Sequence, residues 1–366
     1  MEVSRAQDTV PATPARSAAL SAAAEQLGLG ALIPDSLSGL NGRNENWSGR
    51  TDKGAEVFLK FFSGPAADTL ERFRRSMAFE NIIAGTDVRM WRSPRLLGAD
   101  ENVRLLAYDA VPEAVSATSL VQDGLFHTTL AERFGRSVAE LHSLETGPPP
   151  PAREPQKQAG NKLYALGLAE YAECTGAELE AWALMQHDKQ LREALDALNR
   201  QAIQAPKVAS HGDLRLDQFL LAGDDLYLID WEEHRQLDPA IDVGSFVGEW
   251  LHRAASLMFS ELDADPSLSA TEIHDSLVAR GERELELVRP FVAAFWDGYR
   301  SERDDQDPGL AVRATAFAGW HLFDRMLAGA MVKSQLSNIE RAMAGVGRNA
   351  LLDPERFADV IGLTQE

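Results

Sequence analysis

The chain has 366 residues, 45% hydrophobic and 25% charged, with a formal net charge of −20 at pH 7 and one cysteine. That length supports a substantial core in one large two-lobed unit or two domains, and the acidic balance argues against nucleic acid or anionic membranes as electrostatic partners. A lone Cys174 excludes an internal disulfide and points to a reducing, cytoplasmic setting. No apolar run reaches membrane length, and residues 1–17 lack a signal-peptide core, so they are expected to form a disordered tail.

In chain order, Ala18–Leu29 is expected to be helical, with Leu20, Ala24 and Leu27 on one face and Gly28 and Gly30 ending it. Ser36–Arg50, rich in Gly, Asn and Ser, suits a tight turn between strands. Glu56–Phe62 reads as a buried strand carrying a single lysine, Lys60, and Thr69–Ile83 as an amphipathic helix. Two more strands are expected at Pro94–Leu97 and Val103–Tyr108, joined by a turn over Gly98–Asn102. After Val111 the chain turns largely helical, which sets an expected boundary between an N-lobe over 18–111 and a C-lobe over 112–366.

Within that second part, Leu130, Phe134, Val138 and Leu141 predict a helix ending near His142. Gly147–Pro151 reads as a stiff extended connection. Phe219–Leu221 and Leu226–Ile229, with a turn at Ala222–Asp225, predict a hairpin that brings Asp213 near Asp230. Leu285, Val288, Val292, Phe295 and Tyr299 form a helical stripe further on.

Two motifs flank the hairpin: His211-Gly212-Asp213-Leu214-Arg215-Leu216-Asp217-Gln218 and Leu228-Ile229-Asp230-Trp231-Glu232. Phosphoryl transfer needs such a pair of carboxylates, one to orient and deprotonate the attacking hydroxyl and one on the Mg²⁺ that bridges phosphates. A loop-capping Asp213 and a strand-ending Asp230 are the plainer alternatives. Lys60, between Leu59 and Phe61, must meet an anion or snorkel to solvent, and phosphate is the favoured anion. Other chemistries lack support, since the chain has no His-Glu-x-x-His, no Gly-Lys-Ser/Thr phosphate loop and no Gly-x-Ser-x-Gly elbow.

The order of glycine-rich turn, Lys60 strand, Glu80 helix, Asp109 hinge, Asp213 and Asp230 resembles the protein-kinase-like fold. The motifs His211–Asp213, Ile229–Glu232 and Asp238–Asp242 look like its aminoglycoside phosphotransferase and choline kinase branch, from about Leu37 to Tyr299. The resemblance implies an α+β, two-lobed fold with a β-rich N-lobe carrying one main helix and a large, mostly helical C-lobe. It implies ATP and Mg²⁺ as cofactors, Asp213 as the catalytic aspartate and Arg215 as a phosphate clamp. Asp230 and Gln218 are the implied metal ligands. Lys60, Glu80 as its helix partner (Glu71 being the weaker candidate), Gly39, Asn41, Asp109 and Val111 are the implied nucleotide-binding residues. Gln218 departs from the family's asparagine, with Asp217 as a replacement ligand, while Asp238, Asp242 and His142 are expected to be structural.

The runs His211–Leu220 and Ile229–Glu233 also look similar to kinase-like subunits of class V lanthipeptide and thioamitide pathways. That resemblance implies phosphorylation of precursor-peptide Ser/Thr, with a lyase partner protein eliminating the phosphate. A small-molecule kinase acting on an aminoglycoside, choline-like or sugar hydroxyl is the alternative, and a pseudokinase scaffold, motivated by Gln218, the third reading.

Overall fold

The computed structural model describes residues 9–40, 42–146, 161–260, 269–303 and 307–364. The expectations for residues 1–8, Asn41 and the Gly147–Pro151 connection lie outside the described residues. The chain runs β1 (Thr9–Pro11), α1 (Pro14–Gln26), β2 (Ser38–Leu40), β3 (Glu45–Arg50), β4 (Glu56–Phe61), α2 (Ala66–Ile83), β5 (Leu96–Asp100), β6 (Leu105–Asp109), β7 (Val115–Ser116) and α3 (Ala117–Gln122). It continues with α4 (Thr128–His142), α5 (Leu168–Glu173), α6 (Gly176–His187), α7 (Lys189–Gln204), β8 (Val208–Ser210), β9 (Phe219–Ala222), β10 (Asp225–Leu228) and β11 (Arg235–Leu237). The helices α8 (Ala240–Ser260), α9 (Ala270–Ser301), α10 (Leu310–Ala330), α11 (Asn338–Leu352) and α12 (Pro354–Ile361) complete it.

Two compact units result: one holds the chain up to Leu120 together with Asp217–His234, the other Val121–Leu216 and Arg235 onward. The division expected at residue 111 therefore differs from the observed one. The β9–β10 hairpin and Asp230 fall in the first unit because β9 pairs with β7, so strand hydrogen bonds override chain order.

The first unit is built on an antiparallel sheet in the order β1-β2-β3-β4-β6-β5. Side chains alternate across β4. Val57 and Leu59 pack with Leu20 and Ala24 of α1, Leu105 and Ala107, while Phe62, Phe73, Leu106 and Tyr108 form a separate cluster. Both faces are covered, which is why the strand reads as a nearly continuous apolar run. The helix α2 buries Thr69, Arg72, Phe73, Ser76, Phe79 and Glu80, an i, i+3, i+4, i+7 stripe.

Two expectations need correction here. Residues 9–17 are not a tail, because Thr9–Pro11 pair antiparallel with Ser38–Leu40 and α1 already begins at Pro14. Pro14 suits the first helical turn, and the Thr13 hydroxyl caps it by accepting from Arg16 N–H at 3.3 Å. Gly98–Asp100 are strand rather than turn: β5 carries an irregularity between Leu96 and Gly98, and a Cβ on Gly98 would lie 3.3 Å from Leu27, a tight fit that only a small shift of Leu27 would relieve.

The second unit is mostly helical, with a small β8–β11 ladder. Its α4 and α9 cross at two glycines: a Cβ on Gly135 would lie 1.9 Å from the Phe295 carbonyl oxygen, and one on Gly298 2.1 Å from that of Glu132. This close approach sets His142 of α4 against Tyr299 of α9. Val288, Val292, Phe295 and Tyr299 of the expected stripe are buried. No helix among the described residues is long and apolar enough to cross a membrane.

Candidate active site

In the first unit Asp230 ends the β9–β10 hairpin in the left-handed region, φ 73° and ψ 57°, a conformation Asp tolerates better than most residues. Trp231 follows, stacked on Phe79 of α2 with ring centroids 3.6 Å apart. The hairpin thus delivers two carboxylates to Lys60. Its Nζ donates to Asp230 Oδ1 and lies 2.8 Å from Glu232 Oε2. Burial alone would lower the pKa of Lys60, but Asp230 and Glu232 outweigh it and raise it above the ordinary lysine value. The strand lysine is a buried, charged ammonium.

Lys60 does not pair with Glu80, nor with Glu71, which lies 3.7 Å from Arg74. The physical reason is that α2 turns cations toward the hairpin. Arg72, fully buried, reaches Glu232 Oε1 at 3.4 Å, and Arg75 Nε donates to the Glu232 carbonyl at 2.6 Å. Glu232 therefore bridges the strand lysine and the helix arginine. Asn44 completes the network, donating to Glu232 Oε2 at 2.6 Å and accepting from Arg72 at 2.7 Å. Sequence reasoning missed Glu232, Arg72 and Asn44 in these roles. The available signal was Glu232 two residues after Asp230, on the same side of a short turn.

Glu80 is buried, with Oε1 lacking a hydrogen-bond partner among the described residues. Burial pushes its pKa up to about 7, only partly offset by a hydrogen bond with Tyr108. Burial, Glu80 and Asp230 in turn raise Tyr108 well above the usual phenol value. Because the folded carboxyl holds its proton more tightly than the unfolded one, folding stability falls as pH rises from about 4.5 through about 7. Glu80→Gln is expected to match wild type in thermal unfolding at pH 4.5 and to exceed it at pH 8. Equal melting temperatures at pH 8 would refute this.

The remaining implied nucleotide residues are dispersed. Gly39 sits inside β2, paired with Val10 on one side and Trp47 on the other, so it is not in the turn. Asp109 ends β6 with its carboxylate on Arg95, Nε to Oδ2 2.7 Å, and its N–H on the Arg95 carbonyl. Val111 is half-buried just beyond. Gln218 is buried, and its backbone carbonyl accepts from Ile229 N–H at 3.1 Å, tying it to the residue before Asp230.

Asp213 and Arg215 belong to the second unit. Gly212 takes φ 82°, which glycine adopts without strain, and turns the chain into Asp213. Fully buried Asp242 clamps this turn, accepting from His211 N–H at 2.7 Å and Gly212 N–H at 2.8 Å. His142 Nε2 contacts the same carboxylate at 3.0 Å, and its Nδ1 contacts the Tyr299 hydroxyl at 2.8 Å. Asp238 is held separately by Arg313, at 2.7 and 2.9 Å. Arg215 Nη1 lies 3.6 Å from Asp213 Oδ2, so the expected phosphate clamp neighbours the carboxylate expected to be catalytic.

A β-rich unit with a buried strand lysine and a left-handed Asp230, and a helical unit with a clamped His-Gly-Asp loop, define the kinase-like class of phosphotransferases. A model of the phosphotransferase enzyme family (APH) matches residues 37–299, and the chain belongs to that family. A search of the curated proteins found no match. Among solved structures, the chain is similar in fold to macrolide 2'-phosphotransferase MphH from Brachybacterium faecium, with TM-score 0.50, 17% identity and coverage of 90% of this chain and 98% of that one. It is also similar to choline kinase from Cryptosporidium parvum, with TM-score 0.51, 11% identity and coverage of 95% and 99%. A third is amicoumacin kinase hAmiN in complex with AMP-PNP, Ca²⁺ and Ami, with TM-score 0.50, 14% identity and coverage of 92% and 93%. The fold is the α+β, protein-kinase-like one, and the family is one of phosphotransferase enzymes.

Proposed function

We propose that this chain is an ATP- and Mg²⁺-dependent O-phosphotransferase that phosphorylates Ser and Thr hydroxyls of a ribosomally made precursor peptide, ahead of dehydration by a partner lyase. The observation that carries the phosphotransferase chemistry is the buried Lys60 ammonium between Asp230 and Glu232. A desolvated cation of this kind is suited to the polyphosphate of a nucleotide, and the backbone beyond Asp109 to its adenine. The donor set also fits a hard divalent cation. Asp230 and Gln218 would supply hard oxygen donors from one unit, and since no group of three or more His, Cys, Asp or Glu that could hold a metal is found among the described residues, phosphate oxygens would have to complete the shell. Mg²⁺ takes one or two carboxylates plus phosphate oxygens, and at these residues it would neutralise phosphate charge.

The reaction balances simply. The acceptor oxygen bonds to the γ-phosphorus, the bond to the β-phosphate oxygen breaks, ADP leaves, and the hydroxyl proton passes to Asp213. Carboxylates are weak bases, so Asp213 would act more by positioning than by proton affinity. Arg215 stands ready to share its charge between Asp213 and the transferred group. The peptide acceptor is supported by the sequence resemblance at 211–220 and 229–233, and by Arg215 and Gln218, which depart from the small-molecule branch. The second reading, a small-molecule hydroxyl, is favoured by the family, whose solved fold relatives include a macrolide phosphotransferase and a choline kinase.

Calorimetric titration of Mg-ATP tests the nucleotide site. Wild type is expected to bind only with Mg²⁺ present, and Asp230→Ala to lose that binding. Binding by the variant equal to wild type would overturn the assignment, and no binding by folded wild type would favour a scaffold. Mass spectrometry of Ser/Thr peptides against aminoglycoside, choline and sugar acceptors then separates the two readings.

A further inference from the structure

Lys60 meets two carboxylates, and they are held very differently. Asp230 is the more open, its side chain 28% exposed against 9% for Glu232. Glu232 is held at both oxygens and at its carbonyl. Its Oε2 accepts from Asn44 Nδ2 at 2.6 Å and lies 2.8 Å from Lys60 Nζ. Its Oε1 lies 3.4 Å from Arg72 Nη1 and 4.0 Å from the more exposed Arg43, and its carbonyl accepts from Arg75 at 2.6 Å.

Arg72 is pinned in turn. Fully buried, it donates to Asp68 Oδ2 at 3.0 Å, to Asn44 Oδ1 at 2.7 Å and to the Ser63 carbonyl at 2.5 Å. Lys60 Nζ and the Arg72 guanidinium carbon also lie 5.0 and 5.5 Å from the centroid of one ring, that of Phe62. Glu232 contacts both of these cations.

These placements decide which carboxylate is able to change partner. Mg²⁺ sits about 2.1 Å from its oxygen ligands. On Glu232 it would stand beside two buried cations that already share that carboxylate, and like charges so close in a low-dielectric setting repel strongly. Asp230 has the exposure that a metal and its waters need. An ammonium carries three donors, so Lys60 is able to turn one to phosphate while keeping Glu232.

We infer that Glu232, pinned by Arg72 and Asn44, is the positioning residue of the strand lysine: it holds Lys60 Nζ toward the phosphates while Asp230 is released to the metal. The inference rests on the proposed phosphate-binding role of Lys60, and it goes further in giving Glu232 no bond to the metal. Helix α2 thus reaches Lys60 through a cation and a bridging carboxylate.

The test is a double-mutant cycle in Mg-ATP affinity, measured by calorimetry on the full chain with Lys60→Met, Glu232→Gln and the two combined. Each single change is expected to weaken binding about tenfold, the factor of one charge-assisted hydrogen bond. Because Glu232 acts through Lys60, the double variant is expected to bind no more weakly than Lys60→Met. Independent effects would multiply to about a hundredfold and overturn the inference, since Glu232 would then have a ligand of its own. Wild-type affinity in Glu232→Gln would also overturn it, and with a lowered melting temperature would make Glu232 a brace of the fold only. A crystal structure of wild type with Mg-AMP-PNP depends on no variant folding. Glu232 within hydrogen-bonding distance of Lys60 Nζ supports the inference, and Glu232 parted from Lys60, or with an oxygen on the metal, overturns it. Lys60→Met binding Mg-ATP as wild type does would remove the lysine reading and this inference with it, whereas the other failures remove this inference alone.

Discussion

Asp213→Asn is expected to lower phosphoryl transfer by about 10²–10⁴-fold, the range of a positioned acid–base group, while leaving Mg-ATP affinity close to that of wild type. The amide keeps the size and most of the hydrogen-bonding shape of the carboxylate. What it loses is the ability to take the hydroxyl proton and the charge that Arg215, 3.6 Å away, now partners. Loss of that ion pair removes one anion that competes with phosphate for Arg215, which works against a loss of nucleotide affinity. Initial rates with a confirmed acceptor, beside calorimetry with Mg-ATP, read the two quantities independently. A variant that turns over at the wild-type rate would remove Asp213 from the chemistry, and one that loses nucleotide binding as well would make its role structural.

Asp242→Asn is expected to cost about 3–5 kcal/mol of folding stability, the usual effect of breaking a buried charged pair, and to slow transfer with it. Asp242 is 0% exposed and its two oxygens serve three donors or contacts: His211 N–H, Gly212 N–H and His142 Nε2. An asparagine has one acceptor oxygen, so its amide N–H₂ must face a backbone N–H with nothing to receive either. Burial favours the protonated acid, yet the hydrogen bond and charge of His142, the charge of His211 and the Gly212 N–H hold the carboxyl below the ordinary Asp range. Wild type therefore keeps this stabilisation above the unfolded Asp pKa and loses it as pH falls through the lower folded value. The variant has lost it at every pH. Denaturant unfolding at pH 7 and pH 3 checks both points, and a loss under about 1 kcal/mol at pH 7 would mean that the clamp contributes no more than an ordinary hydrogen bond.

Much of this architecture was legible in the residues alone. Periodicity located β4, α2, α4 and the β9–β10 hairpin, because apolar alternation and helical stripes are local consequences of burying one face. The spacing of His211–Asp213 and Ile229–Glu232 marked the two candidate centres, since a catalytic loop and a metal-binding turn would need particular side chains at fixed short separations. Short-range logic failed where pairing is long-range. Residues 9–11 look featureless yet become an edge strand through hydrogen bonds to β2, and Gly39, taken for part of a turn, is held in the sheet on both sides.

The partner of Lys60 shows the same limit in the site itself. Its charge, its burial in β4 and its use for an anion follow from one lysine in an apolar strand, and the sequence by itself determined them. Which carboxylate meets it depended on the rotation of α2, on the β7–β9 pairing that carries Glu232 into the first unit, and on Arg72 turning inward where Glu80 was expected. Glu80 was left buried with Tyr108 and with a pKa near 7. Only the tertiary structure decided these points, because a side chain's type is written locally whereas its partner is chosen by whichever elements the whole sheet and helix packing bring within a few ångströms.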